Sequence, residues 1–142
     1  MRLDRVMPAL LGLLLMTANG CHSATAPDPL VGTWLATTFR VVPPGRAQQD
    51  VLAAGGTLGV NVANSAAFIT AGTVILPPAV TGGATYNASL AGTAVKTGNT
   101  VQIATTADTF VRDLIFTLNE NRLEALNEVV GGTTYDIVLT RQ

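Results

Sequence analysis

Residues 86–105 read YNASLAGTAVKTGNTVQIAT, and this stretch decides the fold class. Tyr86, Ala88, Leu90, Gly92 and Ala94 fall on one set of alternate positions. Asn87, Ser89, Ala91, Thr93 and Val95 fall on the other, which is the more polar. A period of two describes a strand with one buried face and one wet face. Gly98-Asn99 then interrupts the pattern. Both residues tolerate positive φ, so the pair predicts a tight turn, with Thr100–Thr105 as the returning strand.

The same reading extends in both directions. Strands are predicted over residues 30–42, 57–62, 66–76, 86–97, 100–105, 112–118, 122–129 and 133–141. Pro43-Pro44-Gly45 ends the first, because proline cannot donate to a ladder. Ala63-Asn64-Ser65, Pro77-Pro78, Asn119-Glu120-Asn121 and Gly131-Gly132 mark later turns. Residues 46–54 are the one candidate for a short helix or an ordered loop, and residues 107–111 form a wider corner. Leu114, Phe116 and Leu118 share a face, as do Tyr135, Ile137 and Leu139. Helical periodicity is otherwise hard to find. Short links join consecutive strands, so neighbours pair as hairpins. The expected fold is all-β, an eight-stranded antiparallel up-and-down barrel, since closure removes exposed edges.

The first twenty residues, MRLDRVMPALLGLLLMTANG, differ in kind. Arg2 and Arg5 precede an apolar run from Val6 to Met16, which is shorter than the roughly 20 residues that span a bilayer. Small and polar residues follow, in the layout of a signal peptide. Cys21, the single cysteine, comes next. Gly20-Cys21 resembles the bacterial lipoprotein signal, in which the thiol is lipidated and becomes the new N-terminus. Ordinary signal cleavage after Ala18-Asn19-Gly20 is the alternative. One thiol cannot form an internal disulfide, and lipidation gives it a use in an oxidising compartment. The organisation read here is a signal peptide at 1–20, a lipidated cysteine with a flexible tether at 21–29, and a barrel domain at 30–142. The absence of Asp after Cys21, where His22 stands, favours the outer membrane over the inner. The protein is thus expected to be exported and held at the cell envelope.

Leu30-Val31-Gly32-Thr33-Trp34 opens the domain, and Tyr135-Asp136-Ile137-Val138-Leu139-Thr140-Arg141-Gln142 closes the chain. Together they resemble the lipocalin-like (calycin) barrels, which carry a Gly-x-Trp on strand one and an arginine on the last strand. The family's Thr-Asp-Tyr-type corner has no match here, which directs the resemblance to lipocalin-like bacterial lipoproteins. It implies that Trp34 closes the barrel bottom, that Arg141 stacks across its ring, and that Gly32 allows a close backbone approach.

Composition narrows the chemistry. The formal net charge is −1 and no basic stripe occurs, which argues against nucleic-acid binding. With one Cys and one His, no zinc site of soft ligands is expected, and no other metal or cofactor. The serines have no histidine placed to activate them. Asp108 and Asp113 flank a corner around Arg112 and read as a salt-bridged turn. Glu124 and Glu128 read as wet-face residues of one strand. No enzyme activity is expected. Three roles remain: an interior site for a small apolar ligand, a protein-interaction module such as a protease-inhibitor barrel or envelope docking protein, and a structural envelope role. In the first, Leu90, Phe116, Tyr135 and Ile137 line the lumen, while Val51 and Leu52 in the 43–56 connection sit at the mouth. In the second, residues 43–56 and 77–85 act instead.

Overall fold

The computed structural model describes residues 25–142. Its strands are β1 (Gly32–Val42), β2 (Gln49–Asp50), β3 (Thr57–Ala63), β4 (Ile69–Leu76), β5 (Tyr86–Ser89), β6 (Gly92–Thr97), β7 (Thr100–Thr105), β8 (Phe116–Asn119), β9 (Arg122–Val130) and β10 (Thr133–Arg141). Two single-turn helices, α1 (Pro78–Thr81) and α2 (Phe110–Asp113), sit in connections. All pairings are antiparallel, the barrel strands follow one another around the sheet, and β1 pairs with β10 from Trp34↔Arg141 to Val42↔Thr134. That last ladder closes the sheet. β5 and β6 both pair with β4 and form one interrupted lath over the predicted 86–97 span, so the barrel has eight laths. β2 is a two-residue addition against β1.

Alternation places the core as the sequence predicts. Phe39, Val60, Leu90, Ile103, Phe116, Leu123, Ile137 and Leu139 are buried in one continuous cluster. Fully burying a side chain of this size contributes roughly 1.5–3 kcal/mol. The 86–97 lath bends at Gly92, where the backbone passes between Thr70 and Thr105. Two bulges break strict alternation. On β1, Thr37 is extra between Ala36↔Leu139 and Thr38↔Val138. Trp34 and Ala36 therefore face inward below it, and Phe39 and Val41 above it. On β9 an extra residue lies between Ala125 and Glu128, with Asn127 at φ 56° and its N–H donated to the Asp136 carboxylate at 2.8 Å. Bulges of this kind sharpen strand twist and help a sheet to close.

Three local expectations need correction, and one is resolved between its alternatives. The predicted 112–118 strand begins only at Phe116, because Thr109 caps a helical turn and its side-chain oxygen accepts the Arg112 N–H. Side-chain capping satisfies an otherwise orphaned donor, and it outweighed the apolar alternation. Ile69, not Ala66, starts β4, since Asn64 and Phe68 adopt positive φ in the turn. Residues 46–54 take the second of their two expected forms, an ordered connection that holds β2 and a turn. Finally, the tether does not run freely to residue 29. Asp28 accepts two hydrogen bonds from Lys96, at 2.8 and 3.0 Å, and one from the Leu30 N–H.

The Asp28 contact seals one barrel end. It folds Leu30 under the strands, where Leu30 is wholly buried and its carbonyl accepts from Trp34 Nε1 at 2.9 Å. Burial alone would raise the Asp28 pKa. The Lys96 hydrogen bond, the Leu30 N–H and the Lys96 charge outweigh it, and the net shift is downward. A carboxylate held below its usual value stabilises the fold above the unfolded pKa of about 3.9, and that contribution disappears as pH falls through the lower folded value. Asp28→Asn is therefore expected to lose about 1 kcal/mol at pH 7 and to flatten the acid limb of stability below about pH 4. Urea unfolding at pH 7 and pH 3 checks both effects; equal losses at the two pH values would contradict the assignment.

Candidate functional site

Trp34 and Arg141 face each other across the β1–β10 ladder. The Arg141 guanidinium carbon lies 5.9 Å from the centre of the Trp34 ring, and Arg141 Nη2 donates to the Val31 carbonyl. A cation over an indole at partial exposure contributes about 0.5–1 kcal/mol. Gly32 makes the approach feasible: it sits at φ +150°, and a Cβ there would lie 2.9 Å from Arg141 Nε. Gly32, Trp34 and Arg141 thus meet at the sealed end.

The opposite end has a different chemistry. Val51 is wholly buried, and its N–H donates to the Phe39 carbonyl at 2.8 Å, while Leu52 packs against the core beside it. The 43–56 connection is thereby folded down onto the barrel rim. Pro78 opens α1 at its first turn, and Gly82 ends it at φ 75° with its N–H on the Pro78 carbonyl. Proline inside the start and glycine past the end suit a one-turn helix. In the amide orientation that satisfies both neighbours, Gln49 donates to the Val80 carbonyl and accepts from Arg46, each at 3.1 Å. This side chain ties the loop to α1.

Between them lies a cleft of about 190 Å³, walled by Val41, Pro43, Leu76 and Val80 and rimmed by Arg46, Thr81, Thr133 and Tyr135. Arg46 is its one charged residue. Tyr135 also stacks on Phe110 from α2, with ring centres 4.6 Å apart and planes 7° apart. Phe39 and Tyr86 each lie 6.2 Å from the same Phe110 ring. Four aromatic rings therefore gather around Phe110, and Tyr135 belongs both to this group and to the cleft. Burial raises the pKa of both tyrosine hydroxyls, with the Asp108 charge adding at Tyr86, so both are neutral hydrogen-bonding groups at physiological pH.

Of the residues expected to line a lumen, Tyr135 reaches the cleft. Leu90, Phe116 and Ile137 do face inward but are wholly buried among one another's neighbours in the core. Arg46, Leu76, Val80 and Phe110 were not singled out by sequence reasoning. Pro77-Pro78 before Gly82, and Thr109 as a cap before Phe110, were the available signals. Arg112 bonds Asp108 at 2.6 Å and lies 3.7 Å from Asp113, which makes that corner a salt-bridged turn. Cys21 and His22 lie outside the described residues, as does the signal-like segment 1–20. Among the described residues, no three His, Cys, Asp or Glu side chains gather as a metal site. No protein-family model, curated protein or solved structure matches the chain.

Proposed function

We propose that this protein is a lipid-anchored, lipocalin-like barrel of the cell envelope that binds a small apolar ligand without chemical turnover. The observation that carries this reading is the cleft at the mouth, with four apolar and four polar lining residues, one of which is the Tyr135 that stacks on Phe110. Ligand sites are concave and largely apolar with a few placed polar groups, and those of drug-sized molecules span about 300–1,000 Å³. The cleft is smaller than that, so it takes one end of a ligand.

The anchor fits the same arrangement. Lipidated Cys21 would be joined to Asp28 by a stretch reaching about 25 Å at full extension. Asp28 is fixed at the sealed end. The sealed end then faces the lipid and the mouth points away from it, open to solutes.

Native mass spectrometry of the protein extracted gently from its own envelope tests the reading. A retained small molecule is expected, released on denaturation. In a second measurement, the neutral apolar dye N-phenylnaphthylamine is expected to brighten on binding. Val80→Trp, which fills the cleft, should weaken that binding by about tenfold, the equivalent of roughly 1.4 kcal/mol. A clean apo mass together with unchanged dye binding in Val80→Trp would sink the proposal.

A further inference from the structure

The mouth cleft sets one charge beside an apolar wall. Pro44 and Gly45, the latter at φ 67°, form the middle of a β-turn in which the Arg46 N–H donates to the Pro43 carbonyl at 3.1 Å. Proline presets the first central φ and glycine takes the positive one, so these residues suit a tight turn. The turn is braced from the side: a Cβ on Gly132, in the β9–β10 link, would lie 3.3 Å from Pro44 Cγ. Arg46 therefore leaves a well-packed piece of backbone at the cleft rim, with its side chain exposed to water.

Neutral groups place its guanidinium. The Gln49 side-chain oxygen accepts from Arg46 Nη2 at 3.1 Å, while the same amide donates to the Val80 carbonyl. Arg46 Nη1 lies 3.5 Å from where a Cβ on Gly82 would stand, so it rests against the end of α1. Lys96, Arg112 and Arg122 each have a carboxylate partner, whereas Arg46 has none among the described residues. No acidic residue lines the cleft. The Asp50 carboxylate, on the same connection, accepts from the Ala53 N–H at 3.0 Å. Of the hydroxyls at the rim, Thr81 already donates to the Ala84 carbonyl at 2.8 Å. The Tyr135 phenol, neutral at physiological pH, is a further donor on the same wall.

We propose that the end of the ligand held in this cleft is a monocarboxylate, its oxygens on Arg46 and its apolar body on Val41, Leu76 and Val80. This rests on the ligand reading above and gives that ligand its chemical class. A guanidinium presents parallel N–H donors that match a carboxylate, and a hydrogen bond with an ionised partner is roughly twice as strong as a neutral one. A phosphate monoester is disfavoured, because it brings close to two negative charges to a lining with one cation. A cationic ligand would meet like charge at Arg46. Size agrees with a small acid. A cavity of roughly 150 Å³ holds a benzene ring, so the cleft of about 190 Å³ takes one ring or a short chain with its carboxylate.

The test titrates the whole protein with 2-naphthoate, its neutral isostere 2-naphthamide and the dianion 2-naphthyl phosphate, followed by ligand fluorescence. Naphthoate is expected to bind about fivefold more tightly than naphthamide, the scale of an exposed ion pair. The phosphate should bind no more tightly than naphthoate. Arg46→Gln should abolish the preference for naphthoate and leave naphthamide binding unchanged, while Arg46→Lys should keep part of it. Because Arg46 is exposed, the preference should also shrink as salt rises. Equal binding of naphthoate and naphthamide to the unaltered protein overturns the proposal. So does a preference that survives in Arg46→Gln, or tighter binding of the phosphate. If N-phenylnaphthylamine binds and none of the three compounds displaces it, the carboxylate assignment alone fails. If neither the dye nor any of the three binds, the ligand reading fails with it.

Discussion

Trp34→Ala is expected to lower the stability of the barrel by about 3–5 kcal/mol, the range for emptying a fully buried aromatic site. Trp34 is wholly buried at the sealed end, and two interactions depend on it directly. Its ring fills the space between the barrel floor and Arg141, its Nε1 fixes the Leu30 carbonyl, and Leu30 in turn depends on the Asp28 turn. Removing the indole leaves a cavity and an unsatisfied carbonyl together. A domain of this size has a total stability of roughly 6–18 kcal/mol, so the loss is a large share of it. Denaturant unfolding followed by circular dichroism measures the change. Trp34→Phe separates the causes: it keeps most of the volume and loses the hydrogen bond, so it should fall well short of the alanine variant. Equal losses in the two variants would show that the hydrogen bond, not the cavity, dominates.

The second large effect is expected at Gly92, which sits at φ +159° in the middle of the sheet. A Cβ there would lie 2.2 Å from the Ala104 carbonyl oxygen and 2.9 Å from the Thr105 Cα. Both are backbone atoms of β7, so no side chain can swing aside. The strand must move, and with it the ladder that joins β6 to β7. Overpacking typically costs about 1–3 kcal/mol, and a non-glycine residue held in a sparsely populated backbone region adds about 1–3 kcal/mol. Gly92→Ala should therefore destabilise by at least about 3 kcal/mol or prevent folding. Gly83→Ala is the matched control: nothing lies within 4 Å of its Cβ and its φ is ordinary. It should stay within about 0.5 kcal/mol of the parent. If the two alanine variants unfold together, close backbone packing is not what Gly92 provides.

These two positions differ in how readily sequence reveals them. Trp34 and Arg141 are visible, because Gly-x-Trp opens the first strand and a terminal arginine shares parity with Tyr135, Ile137 and Leu139. Gly92 is visible only as a member of an alternating run; the close approach of the β7 backbone, which makes it special, is not. The same division holds at the mouth. Val51 and Leu52 stand out as apolar residues in a polar connection, and they do pack there. Arg46, Val80 and Phe110 do not stand out, since each lies in a short segment whose neighbours in space come from other connections.

The sequence by itself determined the all-β class, the eight laths and most of their faces. The reason is that a period of two and the turn residues act over a few positions of chain. Only the tertiary structure decided closure through β1 and β10, because that ladder joins residues more than ninety positions apart. It also decided the two bulges, since an extra residue is defined only against its partner strand. The replacement of the upper part of the β8 lath by α2 is of the same kind. There a Thr109 cap competes with apolar alternation, and burial of Phe110 among Phe39, Tyr86 and Tyr135 settles the outcome. The mouth cleft is built by residues of β1, the 43–56 connection, β4, α1 and β10, so it is a property of an assembled surface rather than of any single segment.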